Sequence, residues 1–392
     1  MTGEIPKSPT APGPRVAIIG GGVCGLGIGW RLAAAGCRVE VFERDKTGRA
    51  ASWAAAGMLA ARAEAEPLED TLLELNLKSQ RMWPEWAQEV EAAAGMALDY
   101  RDEGTLIVAV TRDDVEQLHF HHELLRGFGL EVEWLSGAET RRREPFLSPK
   151  TSAGVYSAGD HQVDNRKLVT ALELAYLDAG GALYEETEVT RVEIANGAAR
   201  GVFAGDELHE ADVVVLAAGA WSREIPGLPA SARPPIRPIK GQMVALQMDP
   251  SAPLIRHVVW VPGAYLAPRL DGRLIIGATV EEKGFDTDVT AGGVLNLLLN
   301  TWEALPGIDE LPLVESWVGF RPTSRDDAPI LGPSPVEGLV MATGHHRNGI
   351  LLAPITIDAV SDYILKGRLD AAVRPFGIDR FRLSEVEQRG AA

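Results

Sequence analysis

Three glycines and a carboxylate near the start of the chain have the spacing of a dinucleotide-binding turn. Gly20, Gly22 and Gly25 fit the pattern G-x-G-x-x-G, and Glu43 follows about twenty residues later. The first glycine allows a sharp turn, the second lets a pyrophosphate approach the backbone, and the third lets a helix pack on a strand. The helix N-terminus then directs N–H groups at the phosphate, and the carboxylate accepts hydrogen bonds from a ribose.

The surrounding sequence supplies the elements that hold such a turn. The apolar run from Arg15 to Ile19 predicts a buried parallel strand, and Arg38 to Phe42 predicts the next one. Between them Leu26, Trp30 and Ala33 recur at helical spacing. A glycine-rich turn in another kind of α/β protein is the alternative, but the strand, helix and acid in this order favour dinucleotide binding.

Length and composition set broader limits. A chain of 392 residues exceeds one ordinary core, so we expect two domains. Its net charge of −17, from 38 basic and 55 acidic residues, argues against nucleic acid and anionic membranes as partners. We find neither the apolar core of a signal peptide nor a membrane-spanning run, so the cytoplasm is the expected compartment.

Cysteine and histidine patterns do not indicate a metal site. Cys24 and Cys37 form no ligand motif, and we expect both to pack as small apolar groups. His119, His121 and His122 lie close in sequence, and the first and last of them could face one metal ion. Because no carboxylate or cysteine motif completes such a site, we assign all three to the surface.

Nucleotide-binding features return far downstream. The apolar strand from Asp212 to Leu216 is followed by small residues that include Gly219, where a cofactor could lie against backbone. From Arg233 onward, strand-like runs alternate with turns, and Asp271-Gly272 is a hairpin signal. The sequence therefore predicts an α/β fold in which a Rossmann-type dinucleotide-binding domain carries an inserted antiparallel-sheet (α+β) domain.

Other segments give more local predictions. The alanine-rich stretch from residue 50 to 61 fits either a helix or a loop that lets a flat ring approach the backbone, with Ser52 offering a hydroxyl. Residues 71 to 94 predict an amphipathic helix broken or bent at Pro84. Asp164 predicts the N-cap of the next long helix. The chain beyond Gly367 is expected to be loosely held.

Five motifs together carry a resemblance to a known family. The segments are GGGVCG (20–25), AAAGML (54–59), LIIGAT (274–279), GFRPTSRDDAPILG (319–332) and GHHRNGILLAP (344–354). The chain resembles the flavin-dependent amine oxidases of the D-amino acid oxidase, sarcosine oxidase and glycine oxidase group. Within that group it is most similar to the glycine oxidases of thiamine biosynthesis. The resemblance extends from Arg15 to about Leu365.

The resemblance implies an extended FAD, bound non-covalently because this chain lacks the C-terminal cysteine that covalent members use. Its pyrophosphate would lie at the first glycine turn, its ribose at Glu43 and Arg44, and its ring near the second glycine turn. The predicted FAD-binding residues are Gly20, Gly22, Val23, Cys24, Gly25, Glu43, Arg44, Ala51, Ser52, Ala56, Gly57, Met58, Val189, Gly219, His345, His346, Arg347, Asn348, Gly349, Ile350 and Leu351.

The resemblance also implies three residues for catalysis and substrate binding. Arg321 would pair with the substrate carboxylate, since a guanidinium fork suits that group. Its alternatives are a surface arginine or a salt bridge to Asp326 or Asp327. Tyr265 would reach the substrate with its hydroxyl, unless it is an ordinary half-buried strand tyrosine. Arg347 could contact the substrate or flavin, or hold its own loop.

Two departures from the glycine oxidase pattern put the substrate in doubt. Val280 stands where that group has methionine, and Gly263 stands where it has histidine. The resemblance implies oxidative deamination of glycine or a similar small amine with oxygen as acceptor, giving glyoxylate from glycine, ammonia and hydrogen peroxide. Alternatives are a sarcosine or D-amino acid oxidase, a quinone-linked D-amino acid dehydrogenase, a nicotinamide dehydrogenase, and a flavin-free binding protein.

The domain boundaries follow from these assignments, and a homo-oligomer is left open. The predicted units are a disordered tail at 1–14, a discontinuous FAD-binding domain at 15–85, 151–230 and 322–370, a substrate-binding domain at 86–150 and 231–321, and a C-terminal tail at 371–392.

Overall fold

A computed structural model describes residues 13 to 381. Most of the predicted N-terminal tail (1–14) and the last part of the predicted C-terminal tail (382–392) lie outside the described residues. The helices of the described chain are α1 (Val23–Ala34), α2 (Ala51–Ala54), α3 (Asp70–Ala94), α4 (Arg112–Gly127), α5 (Gly137–Arg143), α6 (Asn165–Asp178), α7 (Ala291–Ala304) and α8 (Ala353–Lys366). Single 3₁₀ turns occupy Gly219–Trp221, Ala230–Ala232, Pro306–Glu310 and Arg374–Phe376.

The strands of the same part of the chain are β1 (Arg15–Ile19), β2 (Arg38–Phe42), β3 (Met58–Leu59), β4 (Thr105–Ala109), β5 (Glu133–Ser136), β6 (Ala153–Ser157), β7 (His161–Gln162), β8 (Ala182–Tyr184), β9 (Val189–Ala195), β10 (Ala198–Ala204), β11 (Glu207–Glu210), β12 (Val213–Leu216), β13 (Arg237–Gln247), β14 (Val258–Val261), β15 (Ala264–Pro268), β16 (Arg273–Gly277), β17 (Leu313–Thr323), β18 (Ile330–Pro333) and β19 (Leu339–Thr343).

A six-stranded sheet forms the first layer, in the order β18-β19-β12-β1-β2-β8. All neighbours are parallel except β18 and β19. Val16 and Ile18 of β1 face a core built with α1, α3, α6 and α8. Ala17 and Ile19 face the other side, which the antiparallel sheet β11-β10-β9 covers. Burial of both faces explains the continuous apolar strands and confirms the Rossmann-type prediction.

An eight-stranded sheet forms the second layer, in the order β17-β13-β16-β15-β14-β4-β6-β5. Its pairs are antiparallel apart from β14 with β4. Asp271 and Gly272 connect β15 to β16 as the predicted hairpin. Helix α7 packs on this sheet through Leu297 and Ala304. The prediction of a second domain built on an antiparallel sheet is confirmed.

Three local expectations need correction. Helix α3 is continuous through Pro84, so of the two predicted outcomes the break is wrong, and the buried Trp83 and Trp86 hold the helix against the core on both sides of the proline. Strand β6 lies in the eight-stranded sheet, although the predicted boundary at 151 assigned it to the FAD-binding domain. His122 is buried rather than superficial, since it packs edge-on against the ring of Trp134.

The segment that follows α8 also differs from expectation. Val373 and Phe376 are buried against α3 and β18, so the chain between residues 369 and 378 is packed rather than loosely held. Lys78 fixes the start of this segment through both carboxylate oxygens of Asp370, at 2.7 Å. The apolar residues were too few and too irregularly spaced to indicate this packing from sequence.

Candidate active site

A cavity of about 1280 Å³ lies between the two large sheets. Its wall includes the first glycine turn, the alanine-rich segment, the residues that follow β12, five strands of the eight-stranded sheet and the second glycine turn. Pockets for one small ligand reach roughly 1,000 Å³. The larger volume therefore has room for a dinucleotide together with a small second molecule.

The first glycine turn is closed by hydrogen bonds from its own backbone. Gly21 donates its N–H to Oε2 of Glu43 at 2.8 Å, and Val23 donates to Oγ of Ser52 at 3.0 Å. A Cβ on Gly25 would lie 1.9 Å from the carbonyl oxygen of Gly20, so helix α1 approaches β1 as closely as the pattern requires. The N-terminus of α1 opens onto the cavity.

Beyond Glu43 the cavity wall changes from backbone to charged and aromatic groups. The guanidinium of Arg44 lies 3.9 Å over the ring of Trp221, and Trp221 in turn stacks on Phe285. Val189 lines the same end of the cavity. Because Trp221 follows β12 and Phe285 follows β16, their stacking joins the two layers at this end of the cavity.

The alanine-rich segment is mostly an extended loop, since α2 is only four residues long. Arg269, a buried side chain from the end of β15, holds this loop. It donates to the carbonyl of Ala56 at 2.6 Å and to Oδ1 of Asn165 at 3.0 Å. Asn165 also donates to the carbonyl of Ser52 at 2.8 Å. Of the two readings that the sequence left open, the loop is confirmed.

The second glycine turn carries two neutral imidazoles. Burial lowers the pKa of His345 to about 4, and its Nε2 lies 3.0 Å from Oγ1 of Thr356. Burial and nearby arginines lower the pKa of His346 to about 3, and its Nδ1 lies 2.8 Å from Oγ1 of Thr323. Burial raises the pKa of Cys24 to about 12, so this thiol packs as expected and does not act as a nucleophile.

Arg321 extends from β17 across the backbone of Gly241 in β13. A Cβ on Gly241 would lie 2.7 Å from NH1 of Arg321. The same guanidinium nitrogen donates to the carbonyl of Thr279 at 3.1 Å. Between residues 13 and 381, no carboxylate oxygen lies within 4.0 Å of this guanidinium. Asp326, one alternative partner, pairs instead with Arg380. The side chain thus presents an unneutralised fork to the cavity.

Tyr265 of β15 lies in the same part of the cavity. Its hydroxyl donates to Sδ of Met243 at 3.2 Å, and its ring lies 5.3 Å from that of Trp260. Burial raises the pKa of Tyr265 to about 12, although the positive charge of Arg321 acts in the opposite direction. The residue therefore stays a neutral phenol that can both donate and accept a hydrogen bond.

Arg347 is held by three glutamates. Its NH2 donates to the carbonyl of Glu64 at 3.0 Å and to Oε2 of Glu69 at 3.1 Å, and Oε1 of Glu66 also lies 3.1 Å away. Its Nε lies 3.5 Å from Oε2 of Glu64. Arg347 therefore holds the segment before α3 against the second glycine turn, which is one of the roles that the sequence left open. A direct contact of Arg347 with substrate stays a prediction.

The structure brings most of the predicted residues to one cavity. The predicted residues on its wall are Gly20, Gly22, Val23, Cys24, Glu43, Arg44, Ala51, Ser52, Ala56, Gly57, Met58, Val189, Gly219, Tyr265, Arg321, His345, His346, Arg347, Gly349 and Ile350. Gly25, Asn348 and Leu351 lie behind the wall. Gly25 packs on β1, Asn348 is buried, and the carbonyl of Leu351 accepts hydrogen bonds from Ser79 and Trp83.

Sequence reasoning missed several wall residues. Glu64 and Glu66 lie a few positions beyond Met58 in the same segment, and that proximity was the available signal. Trp260 and Met243 looked like ordinary strand residues. Val280 and Gly263 both line the cavity, as their departures from the family pattern suggested.

A family comparison accounts for this arrangement. Residues 15 to 363 match the model of the DAO family, described as FAD dependent oxidoreductase. The chain belongs to the DAO family. The match begins at β1 and ends within α8, so it includes both glycine turns and both large sheets of the DAO fold.

Individual relatives of this DAO protein cover nearly its whole length. Glycine oxidase from Geobacillus kaustophilus is 37% identical over 368 residues, which are 93% of this chain and 96% of that one. Its crystal structure superposes with a TM-score of 0.84 and covers 93% of this chain and 98% of the other. The bifunctional protein ThiO/ThiG from Synechocystis sp. is 36% identical over 372 residues, but the chain spans only 54% of that longer protein.

The cavity fits the FAD on which this family depends. Residues 54 to 57 are three alanines and a glycine, so a ring system can reach backbone there. The N-terminus of α1 faces the cavity where a pyrophosphate needs N–H donors, and Glu43 supplies an acceptor nearby. In this cavity the first glycine turn and Glu43 would hold the nucleotide, and the second turn would lie at the opposite end of the cofactor.

Two kinds of feature are absent from the described part of the chain. Between residues 13 and 381, no helix is both long and apolar enough to cross a membrane. The same part of the chain contains no cluster of three or more histidine, cysteine, aspartate or glutamate side chains placed to hold a metal ion.

Proposed function

We propose that this DAO protein oxidises glycine or a similarly small amine that carries a carboxylate. The observation that carries the proposal is the unneutralised guanidinium of Arg321 beside the half-buried Tyr265 in the cavity. Such a fork binds a carboxylate through two parallel hydrogen bonds. Similarity to glycine oxidases over nearly the whole chain supports the same assignment.

In the proposed reaction Arg321 holds the substrate carboxylate and the Tyr265 hydroxyl adds a hydrogen bond. Bound FAD supplies the two-electron oxidation of the carbon next to nitrogen. The resulting imine takes up water and releases ammonia and glyoxylate when the substrate is glycine. Oxygen accepts the two electrons and two protons and leaves as hydrogen peroxide. Because Arg321 and Tyr265 hold the substrate in one orientation, positioning supplies much of the rate.

The proposal also includes the way FAD is bound, the cellular compartment and the pathway. FAD is bound without a covalent link, and the protein acts in the cytoplasm. The similarity to ThiO/ThiG proteins supports a role in thiamine biosynthesis. The acceptor could instead be a quinone, and an oxygen electrode during turnover separates the two acceptors.

An N-substituted glycine is the second candidate substrate. Val280 and Gly263 line the cavity where the glycine oxidase pattern has the longer methionine and histidine side chains. The smaller side chains leave more room for a substituent on the amine nitrogen, as in sarcosine.

A peroxide-release screen of the purified holoprotein tests the proposed function. We expect turnover with glycine, sarcosine or D-alanine at micromolar to millimolar substrate and little with bulkier amines. Turnover with none of these small amino acids, by a protein that retains FAD, would contradict the proposal.

Replacement of Arg321 tests the carboxylate anchor. Truncating one partner of a buried charge pair costs about 2–5 kcal/mol, so Arg321→Ala should raise KM for glycine by roughly 30-fold or more. Arg112→Ala, at an exposed arginine of α4, is the matched control. An unchanged KM in the Arg321 variant would falsify the anchoring role.

A further inference from the structure

Glu64 places a carboxylate on the wall of the cavity. It belongs to the Glu64 loop, residues 60 to 69, which joins β3 to α3. Its side chain is only 11% exposed. Within the described chain, Arg347 is the sole cation within 4.0 Å of its carboxylate, and the closest approach is a loose 3.5 Å to Nε.

Arg347 does not need Glu64 for neutralisation. Oε2 of Glu69 and Oε1 of Glu66 both lie closer to this guanidinium, at 3.1 Å. Three carboxylates thus share one guanidinium, and Glu64 makes the longest of the three contacts. Like charges at close range favour protonation of one member of such a group. The position of Glu64 leaves it able to exchange a proton with whatever fills the cavity.

The wall of the same cavity also carries the charge of Arg321. The fields of Arg321 and Glu64 both act on the hydroxyl of Tyr265, in opposite directions. A small amino acid is a zwitterion at neutral pH, and this arrangement complements both of its charged ends. The ammonium must nevertheless lose a proton before oxidation, because the nitrogen lone pair has to stabilise the electron-poor carbon as its C–H bond breaks.

We propose that Glu64 binds the substrate ammonium and accepts its proton, so that the amine enters oxidation in its neutral form. This inference rests on the proposed function. In the step an N–H bond of the substrate breaks and an O–H bond forms on Glu64. No electron leaves the substrate at this stage, and the proton returns to solvent when product departs.

The electrostatic surroundings suit a proton acceptor at neutral pH. Burial raises the pKa of Glu64 to about 7, and the carboxylates of Asp160 and Glu66 act in the same direction. The charges of Arg347 and Arg321 oppose the increase. A general base is most effective when its pKa lies near the working pH.

A pH profile of Glu64→Gln tests the proposal. General bases contribute about 10²–10⁴-fold, so kcat/KM for glycine at pH 7 should fall by roughly 10²-fold or more. At high pH the free amine is supplied by solution, and the variant should approach wild type. The acid limb of the profile should therefore move from near pH 7 to the pKa of the substrate amine.

Glu69→Gln is the matched control, since it removes an equal charge from the same arginine but lies off the cavity wall. Its acid limb should move at most slightly to lower pH, because the less neutralised charge of Arg347 favours the ionised form of Glu64, and it should not move toward the pKa of the substrate amine. A Glu64→Gln profile that is lowered equally at every pH would show a positioning role and overturn the proposal. Absence of amine oxidation in the wild-type protein would instead count against the proposed function.

Ligand binding supplies a readout that does not depend on turnover. Acetate carries the carboxylate of glycine without the ammonium, and its binding can be followed by the change in flavin absorption. If Glu64 faces the bound ligand, acetate affinity should fall several-fold as pH rises through 7 in wild type and stay level in Glu64→Gln. The same pH dependence in both proteins would overturn the proposal.

Discussion

Arg321 reaches the cavity with its positive charge unneutralised because the acceptors around it, the carbonyl of Thr279 and the hydroxyl of Tyr265, carry no charge. The carbonyl of Thr279 accepts one N–H, and Gly241 provides a flat surface under the guanidinium. A charge held in this way is costly until an anion arrives, so the free energy of pairing is available to substrate binding. The chemistry of the site at residue scale is therefore a carboxylate receptor with a neutral phenol beside it.

Removing the hydroxyl of Tyr265 should have a small effect on KM that does not depend on pH. A single neutral hydrogen bond contributes about 0.5–1.5 kcal/mol, so Tyr265→Phe should raise KM for glycine roughly 2- to 10-fold. Because burial raises its pKa to about 12, the tyrosine should leave no limb in the rate profile below pH 10. Steady-state kinetics from pH 6 to 10 measure both effects.

Tyr156→Phe is the matched control, since this hydroxyl donates to the carbonyl of Glu103 in the same sheet but outside the cavity. Its kinetics should match wild type. A loss of more than about 100-fold in kcat for Tyr265→Phe would indicate a role in proton transfer rather than in positioning.

At the scale of elements, β13 positions the substrate end of the cavity. Lys240 of this strand is completely buried, and its Nζ donates to Asp286 at 2.7 Å and to the carbonyl of Asp288 at 2.6 Å. Gln242 donates to Glu281 at 2.7 Å. These contacts fix the segment after β16, and that segment supplies the acceptor for Arg321.

Cofactor binding depends on the close packing of helix α1 against strand β1. A methyl group on Gly25 would overlap the Gly20 carbonyl, so Gly25→Ala should move α1 away from the turn. Overpacking typically costs 1–3 kcal/mol, and we expect a lower Tm together with loss of bound FAD. Thermal unfolding and the flavin-to-protein absorbance ratio measure the two losses.

Gly127→Ala is the matched control, because nothing lies within 4 Å of the added methyl group at the end of α4. It should keep its FAD and unfold at or slightly above the wild-type temperature. Retention of full FAD and Tm by Gly25→Ala would contradict the close packing of α1 on β1.

At the scale of the whole molecule, the cavity exists only because two layers meet. The six-stranded sheet supplies both glycine turns, and the eight-stranded sheet supplies Arg321 and Tyr265. Arg269 joins the layers by holding the carbonyl of Ala56 from the far side of the interface. Folding of both layers is therefore required before the cofactor and substrate ends face each other.

Acid should weaken the whole fold through His345. Its pKa of about 4 lies below the unfolded value near 6.5, so the unfolded chain binds more protons between these limits. The free energy of unfolding should decrease as pH falls through this window, by roughly 3 kcal/mol at its lower end. Urea unfolding of the holoprotein at pH 7.5 and pH 5 measures the decrease.

Substitution separates this histidine from the others. His345→Gln should make the unfolding free energy less dependent on pH in the same window, whereas His119→Gln, at an exposed histidine, should retain the wild-type dependence. Equal slopes in all three proteins would rule out burial of neutral His345 as a cause.

Local patterns in the sequence determined the elements of the nucleotide end. The glycine spacing, the β-branched strands and the acid at Glu43 each act within one βαβ unit, so they could be read without tertiary information. The N-cap at Asp164 and the hairpin at Asp271 were recognisable for the same reason. The family resemblance added Arg321 and Tyr265, which lie 56 positions apart.

Only the tertiary structure decided which side chains share the cavity and which charges remain unpaired there. Pro84 did not break α3, because two buried tryptophans outweigh the lost hydrogen bond. The placement of Glu64 depends on where a loop meets the second glycine turn nearly 300 positions later. Burial and pairing arise from contacts between distant segments, and a linear pattern records neither of them.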